Sequence, residues 1–283
     1  MTLAPVIALS HGGGPMPLLG DPNHATITAS LQQRVPKILG LNTPSQPAAI
    51  VMVTAHWTTD QPTISNGSSH DLLYDYRGFP PESYELKYPA PGEPEVAAKI
   101  AAAFAEQGLS PKLDAVRKWD HGVFVPLLLI NPKANIPIIQ VSVLESEDAG
   151  DHIKMGKALA TLRASNIAIL GSGFASLHHF TLFRALSQGD QEVRKSIKES
   201  TTDPWNEALT GAIKESTEGN WDGLLNWRNL PHANEIHPVG GGEHFTPLLV
   251  CAGAAKGDKV HSYKDSYYGQ DIVTFYWGAD EIA

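Results

Sequence analysis

Five short runs of almost unbroken apolar residues constrain the fold most: PVIALS (5–10), AIVMVTA (49–55), IIQVSVL (138–144), IAILG (167–171) and IVTFYW (272–277). Each has strand length, and none shows the in-out alternation of a strand with one wet face. Such runs read as strands buried on both sides, the kind found in parallel sheets covered by helices. Helical patterns lie between them: PEVAAKIAAAFAEQG (94–108), KMGKALATLRAS (154–165), DPWNEALTGAIKES (203–216) and EHFTPLLVCAGAAKG (243–257). The third opens with an Asp cap and a Pro in its first turn. The alternation predicts an α/β fold with a central mostly parallel or mixed sheet and helices on both faces. No linker or repeat divides the chain, so residues 1–283 read as one domain. Segment 57–92 is rich in Pro, Gly, Tyr and Asp, with little periodicity. It is too long for an ordinary connection and reads as a functional loop region.

Composition excludes several function classes. The formal net charge is −9 and no Lys/Arg cluster occurs, which argues against a nucleic-acid partner. No stretch of about 18 apolar residues is present to span a membrane. The first residues, MTLAPVIALSHG, lack the basic start and cleavage site of a secretion signal. The single cysteine, Cys251, sits in the apolar run PLLVCAG and reads as a buried core residue. It forbids an intramolecular disulfide and points to a reducing, cytoplasmic setting.

The unusual count is 12 histidines. His11 directly follows the first strand and opens HGGGPMP; His56 directly follows the second. His178 and His179 come a few residues after the fourth strand and its GSG turn, and His244 opens the last helix. Ligands of open α/β sheets sit outside the carboxyl ends of the strands, so these histidines converge on one edge. HGGG also serves some hydrolases as an oxyanion hole, but no G-x-S-x-G elbow exists here to supply the nucleophile. A phosphate loop needs a GK or G-x-G-x-x-G spacing, and both are absent. Two readings of His11 remain: a structural or solvated histidine at a tight glycine turn, and a metal ligand beside that turn. His11 and His56, completed by Glu243 or His244, make a two-His site with a carboxylate or third imidazole, close to the ligand set of non-haem Fe(II) oxygenases. His121, in KWDHGVF, reads as a proton-transfer group or as a histidine capping an apolar helix. His24, His70, His152, His232 and His261 lie in polar contexts and are expected at the surface. His179 and His237 fit either setting.

Four long strings carry a resemblance: YRGFPPESYELKYPAPGEPE (76–95), WDHGVFVPLLLINPKANIPIIQVSV (119–143), TAHW (54–57) and EHFTPLLVCAGAA (243–255). Together they resemble the DODA-type extradiol ring-cleavage dioxygenases of the class III, LigB-like superfamily. The resemblance runs from His11 to about Gly278. It implies a single LigB-like domain that cleaves a catechol-type ring beside its diol, with O2 as co-substrate and one divalent metal, Fe(II) or Zn(II). A small aromatic diol is then the partner, and a DOPA-like catechol falls within the implied class. By this resemblance His11, His56 and His244 are metal ligands, with Glu243 as a supporting or alternative ligand. His178 takes either a ligand or an acid/base role, and His121 is the other acid/base candidate. One extra residue before His178 leaves room for His179 to take its place. Tyr74, Tyr76, Phe79, Tyr84 and Tyr88 would wall a flat pocket, with Tyr84 and Phe79 as substrate-binding residues. The sequence departs from the common H-P-R-E-E-H string, reading HPVGGGEH at 237–244. Two alternatives follow: a drifted, Memo-type member acting by binding, and a zinc-dependent hydrolase.

Overall fold

A computed structural model describes residues 3–282. The first two residues of the expected 1–283 domain, and its last residue, lie outside the described residues. Eight strands form one mixed sheet in the order β4-β3-β5-β2-β6-β1-β8-β7. They are β1 (Val6–Ser10), β2 (Ala49–Thr59), β3 (Thr63–Ser65), β4 (Lys112–Asp114), β5 (Ile138–Leu144), β6 (Ile167–Gly173), β7 (His261–Tyr267) and β8 (Gln270–Trp277). The central four, β5-β2-β6-β1, run parallel and are buried over nearly their whole length. Their β-branched, unalternating composition fits burial on both faces. β3 turns antiparallel to β5 on one flank, and β8 and β7 add an antiparallel ribbon beside β1 on the other.

The five expected strands are present, with β2 longer than its apolar run. β3, β4 and β7 carry no buried apolar run. The first two have three residues each, and β7 (HSYKDSY) is polar and half exposed at the sheet edge.

The helices are α1 (Ala25–Ile38), α2 (Pro94–Glu106), α3 (His121–Ile130), α4 (Ala149–Leu159), α5 (Phe180–Gln188), α6 (Gln191–Ile197), α7 (Asp203–Thr217), α8 (Asp222–Leu225), α9 (Ala233–Ile236) and α10 (Thr246–Ala254). Two neighbouring residues of β6 show the layering. A side chain on Gly171 would strike Cys251 and Pro247 of α10, whereas Ser172 bonds to Gly122 of α3. Successive strand residues face opposite sides, so α10 and α3 cover opposite faces of the sheet. The pattern at 154–165 divides: α4 begins five residues earlier, and its end tightens into a 3-10 turn from Ala160 to Ser165. The pattern at 243–257 is helical only from Thr246, which leaves Glu243 and His244 in the approach to α10. Among the described residues, no helix is long and apolar enough to cross a membrane.

Two surface expectations are overturned. His24 and His152 are buried, because each has polar groups for both ring nitrogens inside the protein. His70, His232 and His261 are partly exposed. His237 is fully buried, held by its Nε2 to the Ala175 carbonyl at 2.9 Å, while His179 stays at the surface.

Candidate metal centre

The carboxyl ends of β1, β2 and β6 meet at one edge. His11 follows β1 directly, and its amide bonds to the Gly173 carbonyl at the end of β6. His56 does not follow β2; it lies within it. Pairing of β2 with β5 slips between Thr54 and Thr58, and the extra residues form a bulge that carries His56 out of the ladder. Bulges re-aim side chains in this way. His244 arrives on the segment before α10.

The three imidazoles converge by the same atom. His56 Nε2 lies 3.2 Å from His11 Nε2 and 3.2 Å from His244 Nε2. The tautomers follow from the far side of each ring. His11 Nδ1 faces Ser172 Oγ at 3.0 Å, and that hydroxyl donates its own proton to the Gly122 carbonyl. Ser172 can therefore only accept from His11, which places the proton on Nδ1. His244 Nδ1 donates to Glu243 Oε1 at 2.8 Å. His56 Nδ1 faces Asp75 Oδ2 at a longer 3.5 Å. Three Nε2 lone pairs thus point at one another. Burial, then the neighbouring imidazoles, pushes His11 and His244 well below the ordinary histidine value. Burial first, and His121 next, pushes His56 down to about 3. Protons do not relieve the repulsion near neutral pH, and a cation does. Two nitrogens each about 2.1 Å from one ion, at tetrahedral or octahedral angles, stand about 3.0–3.4 Å apart, which the observed spacing matches. The residues fit a divalent metal that accepts imidazole.

Glu243 is engaged with His244 Nδ1, so its place here is behind that imidazole. His178 lies against His244, ring on ring, at 3.4 Å between centroids and 11° between planes. Its Nδ1 is 3.6 Å from Glu243, and burial pushes it down to about 4. It stands one ring outside the three converging nitrogens. His178 joins the cluster and His179 does not; the latter bonds to the Glu235 carbonyl. His121, at the start of α3, has its ring 3.8 Å from that of His56.

Two polar residues were missed by the sequence reading. Asp75 Oδ1 accepts both the backbone N–H and the Nδ1–H of His121, at 3.0 and 2.8 Å. Burial would raise this carboxylate, but the hydrogen bonds from His121 outweigh it and hold it below its usual value. His24 is the second. Its Nδ1 donates to Asp21 and its Nε2 accepts the Gly13 N–H at 2.9 Å, which ties down the glycine turn after His11. Gly12 and Gly14 adopt φ of +81° and +55° in that turn, a conformation glycine takes at little cost. A side chain at Gly14 would press on Phe79, so the turn also borders the aromatic loop.

In that loop Tyr76 is nearest the cluster, its ring 5.8 Å from His121. Phe79 packs edge-on against Tyr76 at 5.5 Å and Tyr84 lies 5.4 Å from Tyr76, so both form the wall behind it. Tyr74 joins them through Tyr76, at 6.2 Å. Tyr88 does not: it is buried against Trp119, and its hydroxyl donates to the Asn131 carbonyl.

Comparison with known proteins agrees with this geometry. The family model described as the catalytic LigB subunit of aromatic ring-opening dioxygenase matches residues 5–276. A dioxygenase named tasH from Hapsidospora irregularis is 54% identical, with 100% of this chain and 88% of that relative covered. A 4,5-DOPA dioxygenase extradiol from Beta vulgaris is 36% identical, over 78% of this chain and 79% of the relative. One of the same name from Escherichia coli K12 is 30% identical over 91% and 88%. A crystal structure of an uncharacterized Escherichia coli K12 protein superposes with a TM-score of 0.73 at 27% identity, covering 97% of this chain and 99% of that one. With a match over nearly its whole length and its histidines gathered at the sheet edge, the chain belongs to the LigB family of aromatic ring-opening dioxygenases.

Proposed function

We propose that this protein opens a catechol-type ring next to its diol with O2, using one divalent ion, Fe(II) or Zn(II), held by His11, His56 and His244. The observation that carries the reading is the set of three facing Nε2 atoms, those of His11 and His244 fixed by an acceptor on Nδ1. Such an ion, when bound, acidifies a hydroxyl of the diol and brings it together with O2. The remaining work falls to the chain. His121 has its Nδ1–H held by Asp75, so its Nε2 is the base that takes the second hydroxyl proton. His178, neutral because burial holds it near 4, is the second proton carrier, beside His244. Tyr76 donates its hydroxyl to the Ser83 carbonyl, so it offers a substrate only its ring. With Phe79 and Tyr84 it forms an apolar wall suited to a flat aromatic substrate. A DOPA-like catechol is the finer reading, supported by the names of the Beta vulgaris and Escherichia coli relatives. We also infer one domain, from the single sheet, and a cytoplasmic setting, from the lone buried Cys251. The net charge of −9 speaks against nucleic acid.

The test is direct. Protein loaded anaerobically with Fe(II) is mixed with a panel of catechols that includes DOPA, then exposed to air. O2 uptake equal to the yellow semialdehyde formed is the expected result, and His56→Ala is expected to lose both metal and turnover. Bound metal without uptake across the panel would favour a Memo-type binding protein. Product formed without O2 would favour a hydrolase. Full metal occupancy with unchanged turnover in His56→Ala would sink the site.

A further inference from the structure

Between His237 and Glu243 the chain reads PVGGG and carries no charge of its own. Two charged side chains from elsewhere hold it. The Arg228 guanidinium lies over the Trp227 ring at 3.9 Å, and Trp227 stacks on Phe245, the neighbour of His244, at 4.2 Å. One guanidinium nitrogen donates to the His237 carbonyl and to Asn234 Oδ1. The other donates to the Pro238 carbonyl at 3.1 Å and to Glu147 Oε2 at 2.6 Å. The second oxygen of Glu147 accepts the Gly242 N–H at 2.7 Å. One ion pair thus grips both ends of the loop. Only Val239 and the next two glycines stand away from it, and Val239 is 81% exposed.

Two local features show how closely this grip is built. Glu147, in the turn after β5, adopts φ +53°, an uncommon conformation for a residue with a side chain. A Cβ on Gly242 would lie 2.8 Å from both the Arg228 nitrogen and the Glu147 oxygen, so the pair closes only over a glycine. The Gly242 carbonyl accepts from the amides of Phe245 and Thr246, which passes the anchorage on to the start of α10.

We propose that Arg228 and Glu147 are positioning residues: their clamp on residues 237–238 and 242 sets the direction from which Glu243 and His244 enter the histidine cluster. The proposal rests on reading His244 as a metal ligand. A free PVGGG loop samples many conformations, because glycine restricts the chain least. His244 Nε2 would then be aimed only when an ion arrived, and affinity would fall. Partners that orient metal ligands typically contribute about 10–100-fold to affinity or activity.

The experiment uses the whole, metal-stripped protein titrated with Co(II) and followed by its visible absorption. Arg228→Met and Gly242→Ala are expected to weaken Co(II) binding by about 10–100-fold and to change the shape of the absorption band. Glu147→Gln keeps an acceptor for the Gly242 amide and is expected to retain more affinity than Glu147→Ala. Val239→Ala, on the free part of the loop, is expected to match the wild type. Circular dichroism establishes that each variant is folded. Gly242→Ala decides the matter if Arg228→Met does not fold, since it keeps both charges and only pries them apart. A folded Arg228→Met or Gly242→Ala with wild-type Co(II) affinity and spectrum overturns the clamp and leaves the metal centre standing. Wild-type protein that takes up no Co(II) overturns the metal centre, and the clamp's role with it.

Discussion

Asp75 places two histidines on one carboxylate: His121 through two hydrogen bonds to Oδ1, and His56 by a looser approach to Oδ2. It has no hold on His11 or His244, which are oriented by Ser172 and Glu243. Asp75→Asn therefore keeps the three converging nitrogens but puts an amide against His121 Nδ1. The expected outcome is bound metal close to wild type, with kcat reduced about 100-fold as proton transfer by His121 is lost. Metal analysis and steady-state kinetics on the same preparation check it; equal loss of metal and rate would assign Asp75 to His56 instead. His11, His56 and His244 were legible because each abuts a recognisable strand or helix. Asp75 was not, because it lies in an aperiodic loop and its partner is 46 positions away. His24 and His152 were misjudged for a related reason: a polar neighbourhood in sequence says nothing of what fills it in space.

Among the elements, the buried ones announced themselves and the edges did not. The five apolar runs became five strands, since a strand covered on both faces has no reason to alternate. The bulge in β2 was invisible, because it depends on the partner strand that β2 slips against. Helix ends hold a further dependence on distant side chains. Arg163, fully buried, donates to the Ala254 and Ala255 carbonyls at the end of α10, to the Ala4 carbonyl, and to Asp258. The cation meets carbonyls left over at a helix C-terminus. Arg163→Met leaves the Ala254 and Ala4 carbonyls without this donor, while the Ala255 carbonyl keeps the Asp258 amide and Asp258 keeps contact with water. It is expected to lower stability by about 3 kcal/mol, read as a lower urea midpoint with Co(II) binding at 25 °C preserved. An unchanged midpoint would show that water replaces the guanidinium.

For the molecule as a whole, the buried histidines tie stability to pH. His152 donates from Nδ1 to the Asp148 carbonyl and accepts the Leu144 amide on Nε2, so it is held neutral. Burial, the dominant cause, pushes it from 6.5 down to about 4. Between those values the unfolded chain binds a proton that the folded protein does not, so stability falls as pH drops from 6.5 toward 4 and is level above that window. His152 alone accounts for about 3 kcal/mol of this loss, and His237, pushed down to about 3, acts in the same direction. Urea midpoints measured from pH 7.5 to 4.5 should decline steeply, and His152→Gln should flatten the slope; an unaltered slope would acquit this residue. The sheet order carries one further consequence. His11 and His56 are only 45 positions apart in the chain, yet β6 lies between their strands, and His244 comes 188 positions after His56. A chain emerging from the ribosome therefore cannot bring His11 and His56 together across β6 until residue 173 is out, nor add His244 until residue 244 is. On the proposed reading of these histidines, metal capture waits until the six strands β1 to β6 have been made.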